Sequence, residues 1–176
     1  MTPKTLTLVT GGIKSGKSSW AQQQAEKLSG TRAFVATAQA LDDEMKDRIR
    51  QHRQARGDAW TTFEEPKDLV PLVDDITGRF DIVLIDCLTI WLSNLLTILR
   101  MDEEATVQQI TGLVNCFRKI SSRVFVVSNE TGLGIIPADA LSRLYQRLLG
   151  RLNSEVAAAA DEVYLMVSGI PVKIKP

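Results

Sequence analysis

The run Thr5-Leu6-Thr7-Leu8-Val9-Thr10 leads straight into Gly11-Gly12-Ile13-Lys14-Ser15-Gly16-Lys17-Ser18. The first six residues alternate β-branched and apolar types and predict a strand. The next eight satisfy G-x-x-x-x-G-K-[ST]. After them, Gly16–Leu28 carries a helical pattern ended by Ser29-Gly30. A loop that wraps a phosphate must approach it with bare backbone, hence the glycines. Its successive N–H groups point inward, and the helix that follows presents the positive end of its dipole. Lys17 would reach the β- and γ-phosphates, and the Ser18 hydroxyl would bind Mg²⁺. A chance glycine turn is the bland alternative, and the strand–loop–helix context argues against it. The segment therefore reads as a P-loop that binds a nucleotide, with Gly11, Gly12, Ile13, Lys14, Ser15, Gly16, Lys17 and Ser18 as its contacts.

Outward from that junction the chain keeps alternating. Ala33–Ala38 predicts a second strand, and Asp42–Arg56 a charged helix with Asp42 as N-cap and Gly57 as stop. Trp60–Glu64 predicts a short strand and Pro66–Ile76 a short helix. Asp81–Asp86 (DIVLID) and Arg123–Ser128 (RVFVVS) are apolar without alternation, as strands buried on both faces are. Between them Thr89–Leu99 and Asp102–Lys119 are helical. A loop, Asn129–Pro137, precedes a long helix, Ala138–Ala160. The tail gives two strands around Gly169-Ile170-Pro171, too close for a crossover and therefore antiparallel. This pattern predicts an α/β fold, a mainly parallel sheet flanked by helices with a C-terminal antiparallel hairpin.

The chain has 176 residues, which predicts one domain over 1–176. Apolar residues make up 44% and charged residues 24%, a globular mix that excludes disorder, collagen and a coiled-coil rod. Lys plus Arg and Asp plus Glu both number 21. Zero net charge leaves no global basic field for nucleic acid, so any anion site must be local. Cys87 and Cys116 sit apart in apolar surroundings and read as buried free thiols. The N-terminal apolar run is too short for a signal peptide, and no apolar stretch approaches the ~18 residues of a membrane span. The expected setting is soluble and cytoplasmic.

A P-loop needs an acidic partner near the metal, and Asp86, closing a buried strand, fits that role. A helix N-cap or turn acid is its alternative. Asp81 is the weaker candidate, because ligands sit at the carboxyl ends of parallel strands. The motif gives nucleotide binding but not the reaction. A regulatory GTPase would carry N-K-x-D to read the base, and none is present. Motor and recombination ATPases are usually longer, which leaves small-molecule kinases. The only histidine, His52, falls on one helical stripe with Met45, Ile49 and Arg56. On pattern alone this is a solvated helix whose charges complement its dipole. A sharper reading makes His52, flanked by arginines that would hold phosphates, a nucleophile toward a nucleotide phosphate.

Six stretches together carry a family resemblance: VTGGIKSGKS, ATAQALDDEMKDRIRQHR, WTTFEEP, VLIDCLTIWLSNLL, VVSNETGLGIIP and AAAADEVYLMVSGIPVKIK. In this order, from Val9 to Lys175, they resemble the bifunctional adenosylcobinamide kinase/adenosylcobinamide-phosphate guanylyltransferase family of cobalamin biosynthesis. The resemblance implies a RecA-like P-loop fold and a homotrimer with its site between subunits. It implies a corrinoid substrate, with ATP or GTP as phosphoryl donor and GTP as guanylyl donor. His52 would carry the guanylyl group covalently. Further nucleotide contacts would fall on Ala36, Thr37, Ala38, Arg53, Gln54, Ala55, Arg56, Glu64 and Asp86, with Ser18 and Asp86 as Mg²⁺ ligands.

By spacing alone, Ala36–Ala38 is only a strand end and Glu64 an exposed turn acid. Gly132 and Gly134 permit a tight loop and are assigned no chemistry. Trp20, Trp60 and Trp91 read as core or interface anchors. Two other functions stay open on the residues: kinase of a different small alcohol or nucleotide, with His52 structural, and a nucleotide-dependent switch.

Overall fold

The computed structural model describes residues 4–39 and 59–176. Its elements are β1 (Thr5–Gly11), α1 (Lys17–Glu26), β2 (Arg32–Ala36), β3 (Thr61–Glu64), α2 (Leu69–Ile76), β4 (Ile82–Asp86) and α3 (Leu88–Thr97). They continue with α4 (Glu103–Phe117), β5 (Arg123–Val127), α5 (Ala140–Ala159), β6 (Glu162–Val167) and β7 (Ile170–Lys175). The helix expected over 42–56 lies outside the described residues.

The strands form one seven-stranded sheet in the order β3-β2-β4-β5-β1-β6-β7. Every neighbouring pair is parallel except β6 and β7. The expected mainly parallel sheet with a C-terminal hairpin is thus observed. The reason lies in the strands' two apolar faces. Leu6, Leu8, Val83, Ile85, Val124 and Val126 pack with α2, α3, α4 and α5 in one core. Their alternates Val9, Ile82, Leu84, Phe125 and Val127 pack on the other side with Ala21 and Ala25 of α1 and with Trp60. Trp91 is fully buried, and Trp60 nearly so, matching their reading as anchors.

Element ends differ from expectation where side chains decide them. The α2 helix starts at Leu69 rather than at Pro66. Its proline is Pro71, in the first turn, where no intrahelical N–H is needed. Helices α4 and α5 are capped by Asp102 and Asp139, whose carboxylates accept from the Ala105 and Ser142 amides. Strand β2 stops at Ala36, one residue before Thr37. The hairpin turn is Ser168-Gly169, both with positive φ (51° and 85°), so it lies ahead of the expected Gly169-Ile170-Pro171. A two-residue turn of that hand matches the strand twist. Pro171 consequently sits in β7, an edge strand, where a missing donor is tolerated.

Candidate active site

The β1–α1 junction folds as its glycines require. Gly11 has φ 145°, and a Cβ there would stand 2.5 Å from the Met166 carbonyl oxygen. Gly16 has φ 91° and opens α1. Lys14, with φ 55°, adopts the left-handed region without being glycine. The loop is held from both sides of β1. The Glu130 amide donates to the Gly11 carbonyl at 3.0 Å, and the Gly169 amide donates to the Ser15 carbonyl at 3.1 Å. The hairpin turn therefore braces the P-loop from below, and the segment after β5 braces it from beside.

Within the loop, Ile13 and Lys14 are exposed, Ser18 is half-buried and Lys17 is buried. The Lys17 ammonium donates to the Gly12 carbonyl at 2.5 Å and to Ser15 Oγ at 3.5 Å. Burial lowers its proton affinity, and the nearby ionisable groups of Cys87 and Asp86 oppose that shift without reversing it. A carboxylate at position 86 favours the charged form of the ammonium.

Pairing in the sheet brings the separated candidates into line. Glu64 is opposite Ala36, Ala36 opposite Asp86, Asp86 opposite Val127, and Val127 opposite Val9. This row crosses the sheet at its carboxyl ends, two residues short of Gly11. Its side chains share a face with Ile82 and Leu84, the face covered by α1. Ligands bind at such carboxyl ends. Asp86 is half-buried there and Glu64 is exposed. His52, Arg53, Gln54, Ala55 and Arg56 lie outside the described residues, so the row is built from the remaining candidates.

Thr37 behaves unlike its neighbours Ala36 and Ala38, which are half-buried. It is 0% exposed. Its hydroxyl donates to the Cys87 carbonyl at 2.7 Å and accepts from the Cys87 amide at 2.8 Å. Its own amide donates to the Asp86 carbonyl at 3.1 Å. The Asn94 side-chain amide donates to the carbonyls of Thr37 and Pro66, both at 2.9 Å. Sequence reasoning passed over Asn94, although a lone amide in the apolar run LTIWLSNLLT was a visible signal.

A second buried set was also missed. Ser128 Oγ donates to Asn153 Oδ1 at 2.6 Å, and Asn153 Nδ2 donates to the Asn129 carbonyl at 2.9 Å. The Asn129 amide donates to Thr89 Oγ1 at 2.7 Å. These bonds fix the chain as it leaves β5 beside the P-loop. Beyond them Leu133, Ile135 and Ile136 are exposed in the loop before α5.

Both cysteines are free. Cys87 is buried, as expected, and its thiol is pushed up to about 11, first by burial and then by the Asp86 charge. Such a thiol is inert as a nucleophile near neutrality. Cys116 is only half-buried. No helix of the described residues is long and apolar enough to cross a membrane.

Comparison with known proteins matches residues 7–174 to the family described as cobinamide kinase / cobinamide phosphate guanyltransferase. The bifunctional adenosylcobalamin biosynthesis protein CobU of Escherichia coli strain K12 is 39% identical over 97% of this chain and 99% of its own. The protein of the same name from Salmonella typhimurium has the same identity and coverage. CobP of Pseudomonas aeruginosa is 38% identical over 96% of both chains. Among solved structures, the RadB recombinase superposes with a TM-score of 0.53 at 15% identity, over 93% of this chain and 74% of its own. A type III secretion ATPase gives 0.54 at 9% identity, over 93% and 51%. These two likenesses carry the fold alone, a P-loop NTPase sheet of the RecA-like kind.

Proposed function

The chain belongs to the cobinamide kinase / cobinamide phosphate guanyltransferase family, and on that premise we propose that it performs both reactions on one corrinoid substrate. It phosphorylates the aminopropanol hydroxyl of adenosylcobinamide, then transfers GMP from GTP to give adenosylcobinamide-GDP and pyrophosphate. The observation that supports this reading best is the alignment of Glu64, Ala36 and Asp86 at the carboxyl end of the sheet, the same end at which β1 leads into the P-loop. Residues from three distant segments meet there, and they are the positions that the family resemblance marks for the nucleotide.

In the kinase step, amides of Gly11–Ser18 hold the phosphates and Lys17 neutralises charge growing on the β–γ bridge. The alcohol oxygen attacks the γ-phosphorus, the bond to the bridging oxygen breaks, and the alcohol proton is released. A nucleoside diphosphate and a phosphate ester result. In the guanylyl step, a neutral His52 nitrogen attacks the α-phosphorus of GTP and pyrophosphate leaves. The cobinamide phosphate oxygen then attacks the same phosphorus, the P–N bond breaks, and the histidine is regenerated. Arg53 and Arg56 would hold the departing phosphates. Splitting the transfer replaces one difficult displacement with two in-line ones.

Mg²⁺ suits the available donors. The Ser18 hydroxyl and the Asp86 carboxylate are hard oxygens, and the Asp86 charge already acts on Lys17. When bound, the ion would offset charge on the phosphate oxygens. We assign the chain a single transferase domain acting in the cytoplasm.

The test is incubation with adenosylcobinamide, GTP and Mg²⁺, followed by product mass. Appearance of adenosylcobinamide-GDP supports the reading. GDP and inorganic phosphate formed with no corrinoid product would mean that water is the acceptor and would overturn the reading.

We also propose a trimer. The outer hairpin supports self-association, because Val167, Ile170, Val172 and Ile174 are exposed along it, and an apolar edge strand is a pairing surface. Light scattering should return three copies per particle. A monomer alone at working concentrations would overturn this.

A further inference from the structure

We infer that Thr37, itself held by Asn94, is a positioning residue that sets the orientation of Asp86 rather than a nucleotide contact through its side chain. The inference rests on the reading of Asp86 given above. The β2–β4 ladder ends at the pair Ala36–Asp86. One residue further, regular pairing stops and Thr37 takes over. Three hydrogen bonds join it to the 86–87 backbone: its amide to the Asp86 carbonyl, and its hydroxyl both to and from Cys87. Its one proton is donated, one lone pair is taken up and no surface is exposed, so a ligand has no access to the hydroxyl.

Asn94 fixes the clamp from behind. Its amide spans the Thr37 and Pro66 carbonyls, so the ends of β2 and β3 move together with α3. Hydrophobic burial alone does not account for these two residues. A valine has the shape of threonine, and a leucine at 94 would continue the apolar run around it. Placing polar groups in that core costs free energy unless they are bonded. Here they are bonded to the peptide that carries a candidate catalytic carboxylate and to the turn after Glu64. Thr37 also lies on the opposite face of β2 from the candidate row, so it acts through the backbone.

The test compares Thr37→Val, which keeps shape and loses the hydroxyl, with Thr37→Ser, which keeps the hydroxyl. Three readouts are needed: thermal unfolding, GTP affinity with and without Mg²⁺, and kcat and KM of both transfers. Thr37→Val should stay folded and bind GTP without Mg²⁺ as the wild type does. It should lose the strengthening of GTP binding by Mg²⁺, need about ten-fold more Mg²⁺ for half-maximal rate, and lose about 10- to 100-fold in kcat. Thr37→Ser should restore all three. Asn94→Leu should give the same pattern more weakly, and it stands in if Thr37→Val fails to fold. A folded Thr37→Val with wild-type Mg²⁺ response and rates, or a Thr37→Ser that restores nothing, overturns the inference alone. A wild-type chain that binds no nucleoside triphosphate overturns both the inference and the function it rests on.

Discussion

Lys17→Ala should lower the rate of phosphoryl transfer by about 10³-fold or more while leaving the fold intact. The γ-phosphate passes through a transition state in which charge builds on the bridging oxygen, and little covalent chemistry remains for the protein to do. Charge neutralisation and positioning then carry the catalysis. Lys17 is the buried cation of the loop, and among the described residues its ammonium donates to Gly12 and Ser15, both within that loop.

The sign of the proton linkage supports the same outcome. Burial lowers the lysine's proton affinity in the folded state. A lysine shifted down in this way costs stability in full below its folded value, and the cost fades as pH rises from the folded towards the unfolded value. Alanine removes that cost, which offsets part of the packing lost with the buried lysine stem, so the variant should stay folded at neutral pH. Bound phosphates reverse the situation in the native enzyme, since an anion beside the ammonium favours the charged form. A Lys17→Ala protein with an unchanged kinase rate would overturn the assignment. A variant that unfolds would show that the lysine carries structure as well.

His52→Ala and His52→Asn should both abolish the guanylyl adduct and the formation of adenosylcobinamide-GDP. The wild type, given GTP and Mg²⁺ without corrinoid, should gain the mass of GMP and release pyrophosphate. The linkage should be a phosphoramidate, which breaks in acid and survives mild alkali. No other histidine exists in the chain, so loss of the adduct would identify the nucleophile without ambiguity. The asparagine variant is the stricter control, because it keeps polarity and approximate size while removing nucleophilicity. Kinase activity should persist at least in part in both, since γ-phosphoryl transfer relies on the P-loop. An adduct in either variant would place the nucleophile elsewhere. An adduct formed with ATP alone would keep the covalent mechanism and remove the guanine specificity.

Much of this molecule follows from local pattern. The P-loop is contiguous, and its glycines are needed for reasons internal to the loop, so Gly11–Ser18 could be read without a partner in view. Strands β4 and β5 announced their burial on both faces by lacking alternation. The hairpin followed from two β runs with no room for a crossover. Asp86 was legible because an acid at the carboxyl end of a buried strand is costly unless it serves a ligand or a cap.

Tertiary structure decided what depends on distant neighbours. Parallel strands that are apolar on both faces look alike, so nothing in the sequence places β5 between β1 and β4. That order, with its register, sets Glu64, Ala36 and Asp86 in one row. The need for glycine at position 11 has a further cause, the Met166 carbonyl 155 positions away in the chain, which only the β1–β6 pairing brings near. Thr37 shows the limit most clearly. From sequence it is one of three residues at a strand end, alike in their promise to a nucleotide. Only the fold separates it from its two neighbours, because alternation turns its side chain into the core, where the Asp86–Cys87 peptide and Asn94 take up its hydrogen bonds.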